Sequence, residues 1–142
     1  MARTRFNCEA PRYSRSHDAK GVISWVWPTS DDLAAIHGAL ASVVTKSPVL
    51  DFLVREKPRR IKVDGLEILD VAYWVIGTQM LVCIVNGGYD DVDPVWISFP
   101  ENERPRSLGQ VVWGNTSWEA LGFKLYTERM AGMKTSMILV NL

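Results

Sequence analysis

Residues 68–86 read ILDVAYWVIGTQMLVCIVN. Val, Ile, Tyr and Trp dominate, and such side chains suit a pleated, half-buried surface. Gly77-Thr78 separates two such runs, so the stretch predicts a β-hairpin with strands over 68–77 and 79–86. Successive strand residues point to opposite faces. On the second strand Met80, Val82 and Ile84 share one face, and Leu81, Cys83 and Val85 share the other. Both sets are apolar. A hairpin with one face in water would alternate with polar residues. This one must be covered above and below, which makes it central and raises the question of what forms the second cover.

Further strands are predicted on either side. RIKVD (60–64) precedes the hairpin, and PVWISF (94–99), GQVVW (109–113), GFKLYT (122–127) and SMILVN (136–141) follow it. Gly87-Gly88, Asp90-Asp91, Gly114-Asn115 and Gly132 supply turns. Short strands at close spacing predict an antiparallel β-sandwich over 55–142. That provides one cover.

Residues 21–54 carry a different pattern. GVISWVW (21–27) reads as a strand, with Ile23, Trp25 and Trp27 on one side. Pro28-Thr29-Ser30 ends it. Ser30 then stands where a helix cap belongs, with Asp31 and Asp32 in the first turn where the dipole favours negative charge. In DDLAAIHGALASVVTK (31–46), Leu33, Ile36, Leu40, Val43 and Val44 fall on one helical stripe. Lys46 is expected in the last turn and Pro48 as its stop. Ala34, Ala35, Gly38, Ala39 and Ala41 keep the remaining surface small. This long helix is the expected second cover. Ser47-Pro48 could restart a short helix, PVLDFLV, with Ser47 as cap and Pro48 at the first helical position. REKPRR (55–60) is a charged, Pro-containing connector and marks a boundary. Residues 1–20 lack periodicity and read as an irregular tail. The expectation is a mainly β chain with one α segment, divided as 1–20, 21–54 and 55–142.

Composition excludes several classes. The chain has 142 residues, 47% of them hydrophobic, and its formal net charge is zero. No basic excess marks a nucleic-acid partner. No apolar run approaches the ~20 residues of a spanning helix, so no membrane partner is expected. The first twenty residues have arginines but no apolar core, unlike a secretory signal. They faintly resemble an organelle transit peptide, although charged tails are usually just solvated. Cys8 and Cys83 are the only cysteines. One falls in the tail and the other in the core hairpin, so two independent thiols are expected, without CxxC spacing or a zinc site.

The order of elements resembles the C-terminal part of fungal-type glycoside hydrolases with a (β/α)8 barrel. GVISWVWPTS and DDLAAIHGALASVVTK look like the last barrel strand and helix. VAYWVIGTQMLVCIVNGGYDDVD, LGQVVWGNTSWEALGFKLY and the closing SMILVNL look like the small antiparallel domain that packs on such a barrel. The resemblance covers roughly residues 21–142 and includes no catalytic signature. It implies an accessory β-sandwich preceded by a strand-helix remnant, and a carbohydrate partner in the parent enzyme. It also implies a sugar-stacking role for Trp25 or Trp27 at the end of the barrel strand. The alternative for both rings is packing against the helix. Glycoside hydrolysis needs two carboxylates roughly 5–9 Å apart, and the strands that would carry them are absent. The resemblance therefore implies a fragment, inactive by itself, from a parent that would be secreted. Its exposed barrel-facing surface (Val22, Trp25 and parts of 33–54) would favour self-association.

Other candidates are weaker. Asp90, Asp91 and Asp93 in GGYDDVDP invite a calcium reading, but the EF-hand spacing is missing, and a turn-rich loop explains them. His37 lies beside the helical stripe with no nucleophile at recognisable spacing, and reads as a helix-surface or packing histidine bonded to a backbone carbonyl. Glu67, Glu101, Glu103, Glu119 and Glu128 are scattered, with no two paired as acid and base. GxGxxG, P-loop and HExxH patterns are absent, so no cofactor, metal or catalytic residue is assigned. Among the six tryptophans, Trp74 is expected in the core. Trp113 and Trp118 flank the Gly114-Asn115 turn and could be partly exposed. Two alternatives stay open: a stand-alone carbohydrate-binding module, which needs exposed coplanar aromatics, and a protein-interaction domain using the outer face of helix 31–46.

Overall fold

The hairpin is central. In the computed structural model, residues 30–63 and 66–142 are described, apart from the side chain of Leu33. Helices α1 (Asp31–Val44) and α2 (Val49–Arg55) come first. Strands β1 (Arg59–Ile61), β2 (Leu69–Ile76), β3 (Gln79–Asn86), β4 (Val95–Ser98), β5 (Ser107–Trp113), β6 (Glu119–Leu121), β7 (Lys124–Thr127) and β8 (Lys134–Asn141) follow, with a 3-10 turn at Glu101–Glu103. They form a five-stranded sheet ordered β1-β2-β3-β8-β5 and a three-stranded sheet ordered β4-β7-β6. All strand pairings are antiparallel. The hairpin register runs from Leu69 opposite Asn86 to Ile76 opposite Gln79. Gly77 takes the positive φ (60°) that a tight turn demands. No described helix is long and apolar enough to cross a membrane.

Both faces of β3 are covered. Met80, Val82 and Ile84 pack with Val71, Tyr73, Ile138 and Val140 against Val95, Ile97 and Leu125 of the small sheet. That is the interior of the sandwich. Leu81, Cys83 and Val85 pack with Trp74, Met137 and Leu139 against Val49, Phe52 and Leu53. The second cover is therefore α2. The long helix does not perform that task, contrary to the expectation from its apolar stripe. In α1 only Leu40 is buried among the described side chains, and just its last turn, at Val43 and Val44, reaches the sheet-facing cluster. The physical reason lies in spacing. Val49, Phe52 and Leu53 stand three and four residues apart, on one side of a two-turn helix. Each contributes roughly 1.5–3 kcal/mol when buried. α1 reaches the cluster only through Val43 and Val44 of its last turn, and it rests on α2.

Boundaries differ in instructive ways. α1 ends at Val44, so Lys46 lies past its last turn. Pro48, not Ser47, occupies the N-cap of α2, without a side-chain cap. Gly122 and Phe123, expected inside a strand, both take positive φ (56° and 61°) and form the two-residue turn between β6 and β7. β6 itself has no counterpart in the strands read from the sequence.

Polar groups tie the ends together. Asn86, fully buried, donates through Nδ2 to the carbonyls of Asp90 (3.1 Å), Met130 (3.3 Å) and Ala131 (3.2 Å) and accepts from the Gly88 N–H at 3.1 Å. One side chain thus joins the end of β3 to the loops on either side of the Val92–Met130 bridge. Gly132 completes the junction, since a Cβ there would lie 2.1 Å from the Tyr89 carbonyl oxygen.

Candidate functional site

Catalysis is the first possibility to test against the carboxylates. Glu103 is buried, accepts a hydrogen bond from the Tyr73 hydroxyl at 2.6 Å and pairs with Arg59. Burial pushes the Tyr73 hydroxyl above its usual value, with Arg59 pulling the other way, so it stays a donor. Asp70 pairs with Arg60, and exposed Glu101 with Arg104. Asp91 pairs with Arg129 and accepts from the Gly132 N–H at 3.0 Å. These bonds engage the acids in structural roles. Among the described residues no three His, Cys, Asp or Glu side chains converge as metal ligands. The aspartate loop is explained by Asp91, which holds the 130–132 turn.

The Arg129 guanidinium and then the Gly132 N–H hold the Asp91 carboxyl below the usual carboxylate range. Its contribution to stability is therefore complete above the unfolded carboxylate value and lost as pH falls through the lower folded value. The stability difference between the native chain and Asp91→Ala should be constant from pH 5 to 8, begin to shrink only below the unfolded carboxylate value of about 3.9, and go on shrinking as pH falls toward the lower folded value. Denaturant titrations at several pH values measure it. An unchanged difference at pH 2.5 would contradict the assignment. Both side chains are solvent-accessible, so the ionic part should be small and weaken with salt.

His37 is half-buried, and its Nε2 has no hydrogen-bond partner among the described residues. Cys83 is buried and is not in a disulfide.

The tryptophans sort themselves more informatively. Trp25 and Trp27, the sequence-based candidates for sugar stacking, lie outside the described residues. Trp74 and Trp118 are core residues. Trp113 is half-buried against the α2 side of the sheet. Trp96, within the strand predicted over 94–99, is 46% exposed. β4 alternates, with Val95 and Ile97 inward and Trp96 and Ser98 outward. On β7, Leu125 and Thr127 face in, while Lys124 and Tyr126 face out. Trp96 stands opposite Tyr126, and Tyr126 opposite Glu119. The two rings lie 4.3 Å apart between centroids, inclined at 39°. Ser98, Lys124 and Leu121 form the next row across the same face. At the adjacent turn, Phe123 is exposed and lies within cation–π distance of Arg104 (5.7 Å) and Arg106 (5.6 Å). The described part of the chain therefore offers two surfaces: this aromatic face, and α1 on the far side of the molecule.

No protein-family model and no curated protein sequence matches the chain. Solved structures do. The fold is similar to part of a noncanonic maltogenic α-amylase from Thermotoga neapolitana, with a TM-score of 0.67 and 13% identity, over 100% of this chain and 38% of that one. An α-amylase from Anoxybacillus matches with a TM-score of 0.62 at 12% identity, over 82% of this chain and 24% of that one. A debranching enzyme from Nostoc punctiforme matches with a TM-score of 0.53 at 12% identity, over 87% of this chain and 25% of that one. The chain spans well under half the length of each. At these identities the likeness establishes a shared fold, one found within glycoside hydrolases, and it does not narrow to the fungal type.

Proposed function

We propose that this chain is the C-terminal accessory β-sandwich region of a carbohydrate-active glycoside hydrolase, and that it braces a catalytic barrel. The observation that carries the reading is the order of layers. α1 is outermost and rests on α2, which is sealed onto the five-stranded sheet. The same fold occurs within chains named as α-amylases and a debranching enzyme, where it accounts for 24–38% of the length. In this reading α1 is the last helix of the barrel. Its exposed Ala34, Ala35, Gly38, Ala39 and Ala41 allow another element to approach closely. The carboxylate pair would come from the barrel, because the described acids are engaged in structural bonds or scattered. Val54, 61% exposed on α2, would be covered by the same body. Left uncovered, this side would favour self-association.

The test is at the locus. The coding sequence upstream of codon 21 should encode barrel strands with two carboxylates, in frame or displaced from it. Unrelated sequence there would overturn the reading. Where a barrel is encoded, joining it to residues 21–142 should yield soluble glycosidase activity, and the present chain alone should show none. Equal activity without residues 55–142 would remove the bracing role.

A further inference from the structure

We propose that Asn115 is an acceptor for an N-linked oligosaccharide, and that this sugar shields the open edge of β5. The proposal rests on the reading above for one premise, that the parent enzyme is secreted. Asn115-Thr116-Ser117 is an Asn-x-Ser/Thr triplet without proline in the middle, and the sequence contains no second one. A turn explains an asparagine after Gly114, but it does not call for a hydroxyl two residues later. The triplet lies in the irregular loop 114–118 between β5 and β6, with Asn115 and Ser117 exposed. The loop is held on both sides of the asparagine. Gly114 (φ 93°) sits so close to β8 that a Cβ there would lie 2.5 Å from the Thr135 carbonyl oxygen. The Ser117 carbonyl accepts from the Thr127 hydroxyl at 2.7 Å, and Trp118 is buried. Asn115 therefore stands at the outside of an anchored loop, where a bulky group displaces nothing from the core.

The position gives the sugar a task. The five-stranded sheet ends in β1 and β5. An open sheet edge invites pairing with another chain, and short length or charge blunts it. β1 has three residues, including Arg59 and Arg60. β5 has seven, SLGQVVW, none of them charged, and Val111 is 47% exposed. Its register shifts, between Leu108 and Val111 and between Val111 and Trp113, twist the edge without adding charge. A hydrated oligosaccharide just beyond Trp113 supplies the cover that arginines supply at β1. In the transfer, Asn115 Nδ2 bonds to the anomeric carbon of an oligosaccharide carried on a lipid diphosphate. The bond from that carbon to the diphosphate oxygen breaks. The lipid diphosphate leaves with the bonding pair, and the amide gives up one proton.

Expression of the full chain behind a cleavable secretory leader in a eukaryotic host tests the proposal. The leader-cleaved, membrane-enclosed fraction is read, so export is not required. One mass shift is expected, removed by an endoglycosidase specific for N-linked sugars. Asn115→Gln and Ser117→Ala should each abolish it, and Ser117→Thr should keep it. The purified modified chain should unfold at the same midpoint as Asn115→Gln and aggregate several-fold more slowly on warming. The α1 side is the same in both proteins, so the difference reads the β5 edge. An unshifted chain, or a shift that survives Asn115→Gln, would overturn the acceptor. A much lower midpoint for the modified chain would overturn the placement of Asn115 outside the packed fold. Equal aggregation would overturn the shielding. The bracing role is decided at the locus, which this measurement does not use, so the two readings fail separately.

Discussion

Phe52→Ala should lower the free energy of unfolding by about 3–5 kcal/mol. Phe52 is 2% exposed and is the largest side chain that α2 inserts into the cluster above β2, β3 and β8. Truncation removes a ring from a packed site, and the sheet below cannot rise to fill the space because its backbone is held on both sides by ladders. A domain of this size holds only about 5–15 kcal/mol in total, so the variant should be close to unfolding. Val54→Ala is the control. It lies on the same helix but is 61% exposed, and it should change stability by less than about 0.5 kcal/mol. Similar losses from both would mean that packing of Phe52 on the sheet is not what sets its effect, since Ala is the better helix former at both positions.

Asn86→Ala should cost about 3 kcal/mol or more, an effect out of proportion to its size. Removing the amide leaves the carbonyls of Asp90 and Ala131 and the N–H of Gly88 without this partner. The Met130 carbonyl keeps the bond from the Val92 N–H at 2.9 Å. Asn86→Asp separates donor from acceptor. It preserves shape and the oxygen for Gly88, but loses the N–H groups and turns an oxygen toward three carbonyls. It should be at least as damaging as Ala near neutral pH, and should recover partly in acid when the carboxyl can donate. Equilibrium unfolding of both variants is the measurement. An Asp variant as stable as the native chain would show that the hydrogen bonds to the two loops do not hold the junction.

How much of this was legible in the sequence varied with the kind of signal. The hairpin was, because two adjacent runs with apolar residues on both faces leave only a central position. The sandwich followed from strand spacing and turn residues. The identity of the roof was harder to read. A seven-residue helix carries barely two turns of periodicity, whereas α1 has a longer stripe that looks like the better cover. What separates them is position, because α2 meets the sheet with Val49, Phe52 and Leu53 while α1 meets it only with Val43 and Val44. β6 was not legible at three residues, and Gly122-Phe123 disguised a turn as the start of a strand. The aromatic face was within reach. In Val95-Trp96-Ile97-Ser98 the tryptophan shares its face with a serine, and in Lys124-Leu125-Tyr126-Thr127 the tyrosine shares its face with a lysine. The alternation that turns Trp96 outward is displayed in the sequence itself. Trp25 and Trp27 lie outside the described residues, so the sugar role implied for them stays a proposal.

The most direct test of the layer order uses the thiol beneath α2. Cys83 lies on the helix-facing side of β3 and is 2% exposed. In a chain carrying Cys8→Ser, the native protein should react with a water-soluble disulfide reagent orders of magnitude more slowly than the urea-unfolded chain. Phe52→Ala should speed that reaction well over tenfold. A native thiol that reacts as fast as in urea would place β3 at a wet surface and contradict the roofed, three-layer arrangement.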